Sequence, residues 1–575
     1  MGARPKRVTL VADELLGFAG SGGLGTATSF LAIALARAGD AVEVLYAGDA
    51  ADGRLAPDWA GLYETSGVVV RPLHRTRVRT EPSFFARMLD VEQALASDPP
   101  DVVVVQDLAA PAYTALRKRQ LGLGLDGTLF VVFCHGTRSW ITDVARKPRV
   151  LPGALAVSVL EQASVELADV VVSPSEYLLA WMRSERWTLP AQTHTIPYVT
   201  RSAATGEPPP RATAGAPIER VAFFGRLEDR KGLRPFLAGL DSLEPELLQA
   251  IELELVGRPT PAWSSERVTA ALSGETRAAL RGVSFAGDLD QAAALAHLSR
   301  PGTLAVIPSL EDNSPNAVYE CLERGIPFVA SRTGGIAELV AADDRERVLF
   351  EPTADGVAAA LRRALSAGTF AAARFAFEPA RTVNAWRDVI ALIPSKRAAV
   401  PLADEHDWIV LVDRYAEPDD GLVEKLRRAQ AASGADIVTC ALELDDETQH
   451  HFLGDPHGLG LVSNAYGTAA LVRRSLVEDD REVRTGEDPA WPLLARLVLA
   501  GATIVSVPEA LVRSSRRPGD VNRDPVGALA VMQEFERRLP QSAQSLARLA
   551  TGQAAQEART RESARRRLPK LLSRR

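Results

Sequence analysis

The feature that most restricts the fold is a run of apolar, strand-length segments separated by stretches of helical character. VTLVA at 8–12, AVEVLYA at 41–47, GVVVRPL at 67–73, DVVVVQ at 101–106 and LFVVFCHG at 129–136 form the first set. Strands this uniformly apolar are buried on both faces, and their alternation with helices dictates βαβ units around a parallel sheet. The pattern restarts after the Pro- and Gly-rich stretch RSAATGEPPPRATAGAP, with RVAFFG at 220–225, IELELVG at 251–257, VSFAG at 283–287, LAVIPS at 304–309 and PFVAS at 327–331. The chain therefore reads as α/β, with two Rossmann-like, doubly wound domains at 1–200 and 218–374 joined by a linker at 201–217. A ligand cleft is expected between them, outside the carboxyl ends of the strands. The segment FAFEPARTVNAWRDVIALI at 375–393 reads as a further helix.

Chemistry-bearing residues follow the strands. In SLEDNSPNAVYECLERGIPFVASRTGGIAELV, Asn313 and Ser314 are expected to cap a helix, with Pro315 in its first turn and Gly325 and Pro327 closing it. The free N–H groups around Ser314, Pro315, Asn316 and Ala317 would then offer an anion site suited to a diphosphate. Asp312 and Glu320 flank that site, and carboxylates repel phosphate, so their expected partners are sugar and ribose hydroxyls. In VAFFGRLEDRKGL, Gly225 ends a strand and is followed by Arg226, which can hold two oxygens in a fork, and by Lys231, a mobile point charge. His135 leaves a buried strand where a cleft is expected. Gly20, Gly22 and Gly25 spell GxGxxG, but the strand ends near Ala12, too far upstream for a dinucleotide fingerprint. Gly22, Gly23 and Gly25 are read instead as a loop that lets backbone approach a ligand closely.

The span from Asp312 to Glu320 resembles the acid, seven residues, acid motif of retaining GT-B glycosyltransferases, specifically glycosyltransferase family 4. Most of that family has Glu at the first position, so Asp312 shortens the reach by one methylene. GSGGLGTATSFLAIALARAG resembles the family's glycine-rich loop, and the order Gly225, Arg226, Lys231 matches its glycine, arginine and lysine pattern. The resemblance implies a retaining hexosyltransferase, independent of metal and cofactor, that moves a sugar from a nucleotide-diphosphate donor to a glycan, lipid-linked or small-molecule acceptor. The first domain would face the acceptor and the second the donor, with a helix at 375–395 crossing back to the first. Arg226 and Lys231 would serve the leaving diphosphate, Glu320 the ribose, Asp312 the sugar, and His135 the donor sugar or acceptor. Cell-surface polysaccharide or glycoconjugate biosynthesis is the implied setting. Two alternatives stay open: a catalytically idle GT-B-like partner protein, and a GT-B sugar-nucleotide epimerase.

Residues 402–540 resemble the second half of a GT-A, family 2 glycosyltransferase domain. Its metal motif is broken, since Asp413 is followed by Arg414 and Tyr415, and Glu487 and Asp488 are set off from Trp491 by Pro489 and Ala490. A degenerate remnant kept for packing or protein contacts is expected. The tail at 541–575 is expected to be helical and basic, and could touch an anionic membrane. A net charge of −7 argues against general nucleic-acid binding. Three scattered cysteines suit a reducing compartment, and Met1 to Arg7 lead into a strand rather than a signal-peptide core. A cytoplasmic protein, at most peripheral at the inner membrane face, is the expectation.

Overall fold

A computed structural model describes residues 4–18, 21–48, 53–145, 152–213, 215–394, 405–413, 415–455, 460, 464–478, 490–517, 531, 533 and 535. Gly20, Arg414, Glu487, Asp488 and the tail at 541–575 lie outside these residues.

The first eight strands are β1 Arg7–Ala12, β2 Ala41–Tyr46, β3 Val68–Pro72, β4 Arg79–Glu81, β5 Val102–Gln106, β6 Leu129–Phe133, β7 Val170–Ser173 and β8 Gln192–Thr195. All but β4 form one parallel sheet in the order β3-β2-β1-β5-β6-β7-β8. Every residue of β5 and β6 is buried, as their uninterrupted apolar sequences require. The second lobe repeats the plan with β9 Arg220–Phe224, β10 Glu252–Val256, β11 Gly282–Ala286, β12 Thr303–Ile307, β13 Phe328–Ser331 and β14 Leu349–Phe350. These are parallel in the order β11-β10-β9-β12-β13-β14. The strand order reverses beside β1 in the first sheet and beside β9 in the second, which are the positions where α/β sheets bind ligands.

Two stretches join the lobes. The first is partly helical rather than wholly extended: Arg201–Thr205 is a short helix whose Thr200 side chain accepts from the Ala203 N–H, and Gly206 ends it in a left-handed conformation. The second is the helix Pro379–Ile390, which packs against the first-lobe helix Gly23–Arg37 and against Arg201–Thr205. Trp386 is its anchor, fully buried with its ring 4.8 Å from that of Phe133 in β6.

A third sheet is built from β15 Trp408–Val412, β16 Ala416–Pro418, β17 Ile437–Leu444, β18 Thr448–His450, β19 Ala469–Arg473 and β20 Ile504–Ser514. Its path runs β15-β19-β17-β18-β4, with β20 along β17, so the first lobe supplies an edge strand to the C-terminal sheet. The sequence RTE gives no apolar signal for β4, because one flank of an edge strand faces solvent and its pairing partner lies hundreds of residues away. Lys118 fixes the same junction, bridging Glu92 at 3.2 Å and Glu509 at 3.0 Å. Asp413 is occupied locally, its Oδ1 accepting from the Tyr415 N–H at 2.8 Å. Among the described residues, no helix is long and apolar enough to cross a membrane. Cys134, Cys321 and Cys440 are all buried free thiols.

Candidate active site

Between the first two lobes lies a cleft of about 1960 Å³, and every residue singled out from the sequence for this site except Gly25 lines it. Its floor on the second lobe starts at a 3-10 turn, Asp229–Lys231, that follows β9. Gly232 closes the turn at φ +75°, where a Cβ would sit 1.7 Å from the Pro308 carbonyl oxygen. Only glycine allows this approach. It brings the Lys231 ammonium to 2.5 Å from Asp312 Oδ2. Arg230 stands 3.8 Å from the same oxygen, and Ser309 Oγ donates to it at 3.2 Å. Burial alone would raise the Asp312 pKa, but Lys231 and then Arg230 outweigh it and hold the carboxyl below its ordinary value. The site thus carries a cation already matched to a buried carboxylate. Gly334, at φ +54°, packs beneath it, its virtual Cβ 1.9 Å from the Asp312 carbonyl oxygen.

The helix after Asp312 begins later than its sequence predicts. It spans Asn316–Arg324, with Pro315 at the N-cap and no side chain capping it. Asn313 and Ser314 are not caps because each has a stronger engagement elsewhere. Ser175 Oγ, from the first lobe, donates to Asn313 Oδ1, while Asn313 Nδ2 donates to the His135 carbonyl at 3.0 Å. Ser314 Oγ bonds Tyr319 Oη at 2.9 Å. The first N–H groups of the helix therefore lack a side-chain acceptor, leaving the positive end of its dipole open toward the cleft. Gly325 ends the helix in a left-handed turn, as expected.

Asn316 reaches across the cleft, its Nδ2 donating to the Gly23 carbonyl at 3.1 Å. Gly22 precedes the helix Gly23–Arg37, and its N–H donates to Glu14 at 2.8 Å. Gly25 is buried within that helix, with no room for a Cβ beside Ser21 Oγ. Glu320 lies inside the second-lobe helix and accepts from Gln291 Nε2 at 2.5 Å; burial raises its pKa, partly countered by that bond. Gly225 lines the cleft just after β9. Arg226 lines the cleft with its side chain 61% exposed and its guanidinium 3.4 Å from Glu228.

On the first lobe, His135 follows β6. Its Nδ1 is 2.8 Å from Tyr198 Oη, and its Nε2 is buried without a partner among the described residues. Burial drives the imidazole pKa down to about 3, so the ring is neutral. Two carboxylates unnoticed in the sequence hold the loops around it. Asp107, wholly buried at the end of β5, accepts from the N–H groups of Leu108 at 2.9 Å, His135 at 2.9 Å and Gly136 at 3.0 Å. Glu161, also wholly buried, accepts from Ala109 and Arg138 N–H groups, each at 2.7 Å. Burial pushes Asp107 up to about 6 and Glu161 up to about 7, partly offset by the backbone donors. Among the described residues, no group of three His, Cys, Asp or Glu side chains could hold a metal ion.

Residues 22–199 match the family model described as glycosyl transferase 4-like domain, and residues 218–367 match that described as glycosyl transferases group 1. No curated protein matches the chain. Similar solved structures include sucrose-phosphate synthase from Thermosynechococcus elongatus, at 21% identity over 67% of this chain and 96% of that one, with a TM-score of 0.47. The catalytic domain of starch synthase IV from Arabidopsis thaliana, bound to ADP and acarbose, is similar at 16% identity over 68% and 96% of the two chains, TM-score 0.44. Anabaena HepE in complex with UDP and glucose is similar at 15% identity over 67% and 99%, TM-score 0.45. Two parallel-sheet, Rossmann-like lobes face one cleft, each lobe matches a glycosyl transferase domain, and on those grounds the chain belongs to the glycosyltransferases of GT-B type.

Proposed function

We propose that the protein is a retaining, family 4 hexosyltransferase that takes its sugar from a nucleotide-diphosphate donor and delivers it to a glycan, lipid-linked or small-molecule acceptor. The observation that carries this reading is the Lys231–Asp312 pair, 2.5 Å apart in the cleft beside the open start of the helix Asn316–Arg324. A diphosphate laid over that helix start meets the positive end of its dipole and the Lys231 ammonium, with Arg226 exposed beside Glu228 in the same cleft. These groups, rather than a metal ion, then stabilise the charge that grows on the leaving diphosphate. Lys231, Arg230 and Ser309 converge on Oδ2 of Asp312, which leaves Oδ1 to accept from a sugar hydroxyl. Glu320, beside Gln291, serves the ribose. His135 faces the sugar or the acceptor, and Gly22, Gly23, Gly25 and Gly225 let backbone approach the ligand closely. Departure and attack on the same face of the sugar, with the leaving phosphate taking the acceptor proton, give retention.

In the same proposal the C-terminal unit is a family 2 GT-A remnant that serves as a packing module, supported by its docking on the first lobe through β4 and Lys118. A cytoplasmic role in cell-surface polysaccharide or glycoconjugate synthesis, and peripheral membrane contact by the tail, rest on the family resemblance and the basic sequence. The test is incubation of the full-length protein with UDP-, GDP- and ADP-sugars, with and without a mixed acceptor panel. Acceptor-dependent release of nucleoside diphosphate, and a product whose anomeric proton coupling matches that of the donor, is the expected result. Conversion of donor to its epimer without acceptor, or no release from any donor, contradicts it.

A further inference from the structure

His135 has two ring nitrogens in different surroundings, and those surroundings decide which one carries the proton. Nδ1 is 2.8 Å from Tyr198 Oη, whereas Nε2 is buried at the cleft wall with no partner among the described residues. Tyr198 is itself 6% exposed, packed between Phe133 and Tyr319, and its hydroxyl has no acceptor among the described residues except His135 Nδ1. Two hydrogen placements are open to this pair. If Nδ1 carried the proton and donated to the phenol, the phenol O–H and the bare Nε2 would both be left unpaired. If the phenol donates to a bare Nδ1, only the Nε2–H is left over. One buried unpaired group is less costly than two, each such group being worth about 1–3 kcal/mol. The bond on one ring nitrogen sets the state of the other.

We propose that Tyr198 fixes His135 in the Nε2–H tautomer, so that His135 enters the reaction as a hydrogen-bond donor to a sugar or acceptor oxygen and not as the base that deprotonates the acceptor. Tyr198 is then a positioning residue, and the unpaired Nε2–H is the group that a bound ligand satisfies. The rest of the ring's setting agrees. Asp107 holds the His135 and Gly136 N–H groups, and Asn313 holds the His135 carbonyl, so the backbone of this residue is clamped from both lobes. Tyr198 is tied to the second lobe in turn, its N–H donating to Tyr319 Oη at 3.0 Å, while Tyr319 Oη meets Ser314 Oγ. A continuous chain of bonds therefore connects the His135 ring to the start of the helix where the diphosphate is placed.

This inference rests on the proposed function for its role in transfer, but its structural core is tested without any ligand. Full-length protein labelled with ¹⁵N in its histidines gives the protonation state of each ring nitrogen by NMR, with His135 assigned by the signal missing in His135→Gln. The expected spectrum shows His135 protonated on Nε2 and bare on Nδ1 at neutral pH. Tyr198→Phe, whose retained fold is checked by its thermal melt, is expected to give a mixture of both tautomers and a kcat about tenfold lower, the value of one neutral hydrogen bond, with donor KM little changed. A wild-type ring protonated on Nδ1, or a Tyr198→Phe protein that keeps the Nε2–H tautomer and full turnover, overturns the proposal. The expected spectrum in a protein that turns over no sugar nucleotide overturns the functional reading and leaves the assigned donor nitrogen standing.

Discussion

At the scale of the residue, the site is a set of charges matched before any ligand arrives. Asp312 pairs with Lys231, which is proposed to meet the diphosphate, so Asp312→Asn is expected to separate two quantities. Nucleoside diphosphate binding should tighten or stay equal because Lys231 is no longer neutralised, while transfer should fall about tenfold or more if the carboxylate holds the sugar. Calorimetric titration beside steady-state kinetics reads both; parallel losses would refute the division. Glu161 has an opposite character, a carboxylate whose pKa burial raises to about 7. Its folded-state pKa exceeds the unfolded value, so its stabilising share is complete below the ordinary carboxylate range and fades as pH rises through about 7. The melting temperature of the wild type relative to Glu161→Gln should therefore decline between about pH 4.5 and 7.5. A flat difference contradicts a buried, raised carboxyl. Lys231, Asp312 and His135 were legible in the sequence because each sits in a local motif after a strand. Asp107, Glu161 and Tyr198 were not, since the contacts that bring them to the site include partners 28, 52 and 63 positions away, which no local pattern announces.

At the scale of the element, the parallel strands were visible because burial on both faces demands unbroken apolar runs. Helix starts were harder. The Asn313, Ser314, Pro315 sequence carries a strong capping signal, yet the two polar side chains are drawn into contacts with the other lobe and with Tyr319, so the helix opens at Asn316. Ser175 shows the contrast, capping Glu176–Ser184 by accepting from the Leu178 N–H while also donating to Asn313. The helix read from the sequence at 375–393 spans Pro379–Ile390, and it buries Thr382, Trp386, Val389 and Ile390, of which Trp386 is the largest. Trp386→Ala removes a fully buried indole between the lobes, and a loss of about 3–5 kcal/mol is expected in chemical denaturation. A loss under about 1 kcal/mol would mean that the helix is not what ties the lobes together.

At the scale of the whole molecule, the two lobes are also joined by direct hydrogen bonds between them. Glu338 of the second lobe accepts from the Glu176 and Tyr177 N–H groups at 2.8 and 2.9 Å, at the positive end of a first-lobe helix, and Tyr177 Oη donates to Glu311. Glu338→Ala is expected to favour an open arrangement, seen as a larger radius of gyration in solution scattering and a higher donor KM, with the melting of each lobe little altered. An unchanged radius and KM would show that these bonds are incidental to closure. The third sheet extends the first lobe through β4, a link no sequence pattern announces because it depends on two distant segments meeting. The central claim is that the cleft holds a nucleoside diphosphate between Lys231 and the start of the helix Asn316–Arg324. Titration of UDP, GDP and ADP into the wild type and Lys231→Ala tests it most directly: at least one should bind the wild type, and Lys231→Ala should weaken it about tenfold or more. Binding of none of the three, or equal binding by both proteins, would contradict it.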